Sequence, residues 1–586
     1  MFRKLIMATA VLALPLVLWQ TAPAAENLPP AGTLIPKDAI VTLEISNPKA
    51  LIEVVLQPKV TKALTALPAY KKAAAGKEFR QVLQLVRLLE TMFDTDWQSG
   101  LKKLTGGGIT LAVCPNDSVL LIVDAEDARM LQRIHEVFLN IARGEAEKKG
   151  QPGKVLSAEY RGVTGWTFNG KEAHAVIGRR LLVANRVEAL KAALDRRAEP
   201  GGNTLDQSPA YKAAKKAARP DTVATAAVNM GLLKMHPPIE QVLSQDTNPL
   251  VSLLFSNILE SLSESNWISL GLEAKGDTLS LLATLDDQSG GPSKRSAFAV
   301  PAKAEEGTLP NLIVPRRIAG LSLYRDLNAF YSAKDELFPE RTSGLIFFEN
   351  MMGIFFSGRD LTDEVMGAAT PDIRLVVARQ QYDPAVGTPQ IQAPAVAVVI
   401  GLREPKEFAV VAEEAWQKAV GLVNFTRGQK ALPGLIIDRS THADTKFTVG
   451  YFSSAGEDTK TMLPVRYNLR PSLAVVGDSL IISSTDGLTK DLIDALGKQK
   501  AEPVAQTDSI LEMDGSQLAT ILQANRDNLV RQNMVEKGNT QQQAETDIDL
   551  LVMAIKYLGQ AKLDLARIDG HARASLQLKL NLSAAE

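Results

Sequence analysis

The chain has 586 residues, more than one hydrophobic core organises at about 100 to 200 residues per domain, so several bodies are expected. A 45% hydrophobic and 22% charged composition excludes disordered and collagen-like classes. A formal charge of -1 leaves no global field to gather nucleic acid, and a single cysteine, Cys114, excludes an internal disulfide.

At the N-terminus, Arg3 and Lys4 precede an apolar run from Leu5 to Trp19, followed by T-A-P-A-A-E. This predicts a secretory signal peptide over 1–24, cleaved after Ala24. Fifteen residues fall short of the roughly 20 that a spanning helix needs, and no later run reaches that length. The expected mature chain is exported, periplasmic or extracellular, with no transmembrane segment. Loss of Arg3 and Lys4 with the signal takes the formal charge from -1 to -3.

A strand from Ala39 to Ile45 leads to Asn47 and Pro48, an N-cap followed by proline at the first helical position. Helical sequence follows from about Thr61 to Leu104, with Leu85, Leu88, Leu89, Met92 and Phe93 lining one face. The strands I-T-L-A-V and V-L-L-I-V-D, Ile109 to Asp124, are separated by the turn residues C-P-N-D-S, and Cys114 is expected as a small buried apolar residue. A helix from Asp127 and strands near Val155 to Tyr160 and Gly165 to Phe168 precede the stretch Ala173 to Leu194. There an apolar run ends at Gly178, Arg179 and Arg180 follow, and a second apolar run enters a helical pattern, which predicts strand, tight turn, strand, helix. A strand over Thr222 to Met230 and a hairpin from Trp267 turning at Gly276-Asp277 close this half.

The same order recurs. Val314 to Phe330 matches Ile35 to Leu51, with Asp326 as the cap. Leu345 to Phe356, L-I-F-F-E-N-M-M-G-I-F-F, fills the place of the first helical stretch and reads either as a buried core helix or as an exposed apolar contact surface. Strands at Ile373 and Ala395, a helix from Pro405, and strands near Leu435 and Phe447 lead to Ser472 to Leu496, the second version of the turn motif, with Gly477 in place of Gly178. Ser509 to Asp514 and a hairpin from Ala561 turning at Asp569-Gly570 end the copy. The expected fold is α+β, two tandem copies of a mainly antiparallel sheet-plus-helices domain, with a first repeat over 25–286, a linker over 287–311 and a second repeat over 312–586.

Candidate chemistry is sparse. Gly106-Gly107-Gly108 follows a helix and precedes a strand, the reverse of a phosphate loop. The five histidines, His135, His174, His236, His442 and His571, have none of the close pairing that metal motifs use. No G-x-S-x-G occurs; S-N-P-K (Ser46 to Lys49) and S-G-L-K (Ser99 to Lys102) lack the elements that accompany a serine-lysine site. P-A-Y-K occurs at Pro68 to Lys71 and at Pro209 to Lys212, either as helix starts or as a basic face toward an anionic envelope polymer. No catalytic, metal or cofactor-binding residue is therefore assigned, no cofactor is expected, and the binding residues are left open.

Three short motifs carry a resemblance: P-K-D-A (Pro36 to Ala39), S-P-A-Y-K (Ser208 to Lys212) and V-A-T-A-A-V-N (Val223 to Asn229). The chain resembles uncharacterised exported bacterial proteins of the domain-of-unknown-function type, although the second copy has Arg316-Arg317 where the first has Lys37-Asp38. The resemblance implies export, no assigned activity and no functional residues to carry over. The leading expectation is a non-enzymatic cell-envelope protein that binds a protein, polymer or apolar ligand through an inter-lobe groove or its apolar helices. The alternatives are an exported hydrolase with a site assembled from distant residues, or a purely structural envelope component.

Overall fold

A computed structural model describes residues 28–58, 61–62, 65, 70, 74–168, 170–199, 201–219, 221–235, 248–286, 296–384, 386–453, 463–568 and 571–581. The expected signal peptide over 1–24, the first P-A-Y-K segment apart from Tyr70, His236 and the Asp569-Gly570 turn lie outside these residues. The described chain divides into two compact units: residues 28–235 with 265–286, and residues 248–264 with 296–581.

The first unit holds ten strands: β1 (Val41–Ile45), β2 (Gly108–Cys114), β3 (Ser118–Asp124), β4 (Leu156–Tyr160), β5 (Val163–Thr167), β6 (Ala173–Ile177), β7 (Arg180–Ala184), β8 (Ala224–Asn229), β9 (Trp267–Lys275) and β10 (Thr278–Leu285). They pair in the order β4-β5-β6-β7-β3-β2-β1-β8-β9-β10. The second unit holds β11 (Arg317–Tyr324), β12 (Ala369–Ala378), β13 (Ala395–Leu402), β14 (Ile436–His442), β15 (Thr445–Tyr451), β16 (Ser472–Val476), β17 (Ser479–Ser483), β18 (Thr507–Asp514), β19 (Gln560–Ile568) and β20 (His571–Lys579). Their order, β14-β15-β16-β17-β13-β12-β11-β18-β19-β20, is that of the first unit strand for strand. Every one of these strand pairs is antiparallel, and the fold is α+β.

The turn motif takes the predicted form. Gly178 and Gly477 sit at φ 56° and 59° between paired strands, a backbone region that side-chain-bearing residues disfavour. Alternation along the strands fills one face with apolar side chains: Ala112, Leu120, Ile122, Ala175 and Leu182 under Leu190 and Leu194 in the first unit, and Val376, Val399, Phe447 and Ile481 under Leu488 and Leu492 in the second. Cys114 is buried at the end of β2, and burial pushes its thiol up to about 11, so it is a packing residue rather than a nucleophile.

The helices of the first unit include α1 (Pro48–Val55), α2 (Lys77–Phe93), α3 (Trp97–Thr105), α4 (Ala128–Lys148), α5 (Val187–Ala198) and α6 (Pro209–Ala217). The helical run expected from Thr61 to Leu104 is interrupted where Asp94 turns left-handed at φ 45° and Asp96 caps α3 by accepting from Ser99 N at 2.9 Å.

The second unit opens with α7 (Pro249–Glu264), which precedes β9 in the chain yet belongs to this body. Then come α8 (Leu327–Ser332), α9 (Thr342–Phe355), α10 (Pro405–Gly428), α11 (Asp486–Lys498), α12 (Gly515–Ala524), α13 (Arg526–Lys537) and α14 (Gln541–Leu558). A buried polar network holds α7 in place. Arg325, 1% exposed, donates to Leu253 O and Leu254 O of α7 at 2.6 and 2.8 Å, to Asp508 O at 3.1 Å and to Ser509 Oγ at 3.0 Å. Asn257 Nδ2 of α7 donates to Asp508 Oδ2 at 2.7 Å.

Residues 296–311, expected within a linker, pack into this unit as well. Phe298 is 2% exposed and lies edge-on to Phe330. Thr308 N donates to Thr507 O at 2.7 Å, and Val504 N donates to Thr308 O at 2.9 Å.

Candidate functional site

The apolar stretch Leu345 to Phe356 forms most of α9, which is hydrophobic on nearly all sides. One side is satisfied: Phe348, Met352 and Phe356 pack on Tyr331, Leu361 and Val365. The polar break in the stretch belongs to this side too, since Glu349 accepts from Tyr331 Oη at 3.1 Å and faces Lys334 Nζ at 3.4 Å. The opposite side is in solvent, with Ile346, Phe347 and Ile354 at 53%, 70% and 70% exposure.

Helix α10 continues the surface. It buries Ala412, Trp416 and Val420 against Leu402, Leu473 and Leu480, and leaves Val410, Leu422 and Phe425 at 70%, 52% and 64% exposure. Lys418 Nζ joins the two helices by donating to Ile354 O at 3.2 Å and to Ser357 Oγ at 2.6 Å, while Ser357 Oγ donates to Glu414. Lys418 and Glu414 also pair at 2.8 Å, so the charges at the seam neutralise one another. Six large apolar side chains more than half in water on two adjoining helices exceed the scattered exposure of an ordinary surface. The first unit shows a weaker version on α2 and α3, where Leu83, Met92 and Trp97 are 42%, 41% and 44% exposed.

The three motifs that carry the resemblance converge on a second feature. Ala39, Thr42, Ser208, Tyr211 and Asn229 line a cleft in the first unit that has room for about one water molecule. Each polar group there has a structural task. Tyr211 Oη donates to Glu44, which also takes Lys215 Nζ at 2.6 Å. Ser208 caps α6 through Tyr211 N at 3.4 Å, and Asn229 Oδ1 accepts from Leu232 N at 3.2 Å. Burial and the Glu44 carboxylate push the Tyr211 hydroxyl above its usual range, so it remains a donor. The motifs fasten α6 onto β1 and β8. Pro209 to Lys212 is thereby a helix start, as its Ser-Pro sequence suggests.

The histidines fall in different places. His135 of α4 and His174 of β6 bring their Nε2 atoms to 3.0 Å, a pairing across 39 positions that no local spacing signals. Burial lowers the pKa of both, that of His174 to about 4, so both are neutral at pH 7. His442 Nε2 lies 3.0 Å from Asp494 Oδ1. Asp494 stands in α11 where Asp195 stands in α5, at the same offset as Gly477 from Gly178. Asp195 likewise anchors the tip of its hairpin, accepting from Tyr160 Oη at 3.0 Å and Arg161 Nε at 2.9 Å. Among the described residues no group of three or more His, Cys, Asp or Glu side chains converges as a metal centre would, and no helix is long and apolar enough to cross a membrane.

Ten antiparallel strands in each unit, with flanking helices, define an α+β protein that carries an exposed apolar helix pair. The chain belongs to the family described as "Protein of unknown function (DUF3352)", whose model matches residues 5–304. No curated protein is similar to it. Among solved structures it is similar to crystal forms I, III and IV of TP0453, at 10%, 8% and 8% identity. These matches cover 46%, 45% and 44% of this chain and 83%, 81% and 79% of that one, with TM-scores of 0.24, 0.23 and 0.22. Superposition at that level carries no argument about function.

Proposed function

We propose that this chain is an exported, non-enzymatic cell-envelope protein that binds an apolar segment of a protein partner through the exposed face of α9 and α10, and that its two bodies descend from one α+β unit written twice. The observation that carries the binding reading is the set of six apolar side chains left in water there: Ile346, Phe347, Ile354, Val410, Leu422 and Phe425. Burying such a face is worth about 25 cal/mol per Å² of apolar area removed from water, which gives a partner a direct gain. The seam charges Lys418 and Glu414 are paired with each other, so the face favours a neutral apolar occupant over an anionic polymer. The shared strand order supports the duplication, and the N-terminal pattern of Arg3, Lys4 and the apolar run supports export.

Native mass spectrometry of the mature chain, gently purified from its own envelope, tests the reading. A bound protein is expected on the wild type and absent from the triple variant Phe347→Ser, Ile354→Ser, Phe425→Ser. A chain that carries no protein, or a variant that carries it equally, overturns the proposal.

A further inference from the structure

His135 and His174 stand in direct contact with each other, with Glu136 the carboxylate whose charge acts on His135. With the nitrogens 3.0 Å apart and the ring centroids 5.1 Å apart, the imidazoles stand nearly end to end, their nitrogens facing each other. That is the geometry of one proton held between two neutral rings, an N–H of one donating to the lone pair of the other. A cation that accepts two collinear nitrogen ligands fits the place of that proton.

We propose that His135 and His174 form a two-coordinate site for Cu(I), bound between the two Nε2 atoms. Imidazole suits copper among the biological metals, and a closed-shell monovalent ion is satisfied by two neutral donors where Zn²⁺ requires about four. At a metal–nitrogen distance of about 2 Å a linear arrangement needs about 4 Å between the nitrogens, so the rings separate by about 1 Å. Both side chains are half-buried rather than sealed, which leaves the ion a route in. No net proton leaves: the donor ring moves its hydrogen from Nε2 to Nδ1, and both Nε2 lone pairs then face the metal.

The surroundings are aromatic. The Phe168 ring lies 4.9 Å from His174, and Trp166 meets His135 edge-on at 6.2 Å. One face of Trp166 is already taken by the Arg143 guanidinium at 5.2 Å, so the apolar wall of Phe168 carries more of the shielding of a bound monovalent ion. Cys114, the one cysteine of the chain, is buried in the core and is not part of this pair.

The test is an anaerobic titration of the full chain with Cu(I) against a chromophoric Cu(I) chelator, run on wild type, His135→Gln, His174→Gln and Cys114→Ser. One Cu(I) per chain is expected for wild type and Cys114→Ser, with at least a hundredfold weaker binding in each glutamine variant. X-ray absorption on the wild type gives a readout that survives misfolding of the variants, with two nitrogen neighbours near 2 Å expected. Equal affinity in wild type and glutamine variants, a sulfur neighbour, or three or more ligands overturns the proposal.

Discussion

Replacing Arg325 with methionine removes the cation at the centre of the second unit while roughly keeping its volume. The guanidinium donates five hydrogen bonds, to Leu253 O, Leu254 O, Tyr324 O, Asp508 O and Ser509 Oγ, and lies 3.7 Å from Asp508 Oδ1. Asp508 is itself only 2% exposed, and without Arg325 its charge is left with the neutral donors Asn257 and Ser509 and the field of Arg567. Removing one partner of a buried pair costs about 3 to 5 kcal/mol, a shift of roughly a hundredfold to several thousandfold in the local opening equilibrium. Hydrogen exchange of the β11 and β18 amides reads that change, since both strands flank the network. Burial raises the Asp508 pKa and Arg325 opposes the rise, so the variant raises it further. A carboxyl whose folded pKa is raised favours the native state most below its unfolded value of about 3.9 and loses that advantage as pH climbs toward the folded value. The defect is therefore smallest near pH 4 and grows toward neutrality. Adding Asp508→Leu is expected to recover much of the loss, because an apolar pair of similar volume costs little there. Exchange rates within tenfold of wild type at pH 7, or a double variant as weak as the sum of the singles, would refute the reasoning.

Gly307→Ala is expected to cost about 1 to 3 kcal/mol, because the added Cβ would stand 1.9 Å from Val504 O inside the backbone pairing of Thr308 with Val504 and Thr507; urea titration of the variant should show a lower midpoint. Leu492→Ala, at a fully buried position under β12, β13 and β17, should cost about 2 to 5 kcal/mol by the same assay. Phe347→Ser should leave the midpoint within about 0.5 kcal/mol of wild type, since its side chain is 70% in water already.

The sequence patterns that proved readable are local. Period-two alternation and a glycine at each tight turn predict the strands around Gly178 and Gly477, and Ser208, Asp326 and Asn47 each cap the helix expected of them. What escaped depends on partners far along the chain. Helix α7 buries Ser252, Asn257 and Ser261 and leaves Leu250 and Phe255 at 66% and 48% exposure, so polarity does not tell which of its residues are buried. Its partner Asp508 is 251 positions from Asn257, beyond any window of pattern reading. The α9 surface was ambiguous for another reason: a helix apolar on all sides has no periodicity to say which side meets water. The two histidines sit on a helix and a strand whose contact follows only from packing.

Because α7 is made before β9 and β10 but is completed by Arg325 and Asp508, the ribosome delivers the helix long before its binding site. At about 5 to 20 residues per second, the 251 positions from Asn257 to Asp508 take on the order of 10 to 50 seconds to synthesise. During that interval a helix with Leu250 and Phe255 in water and Asn257 and Ser261 uncommitted stands without its receptor. A nascent chain arrested near residue 290 is thus a natural client for a holding chaperone, and splitting the gene between its halves would strand a piece of one body on the other.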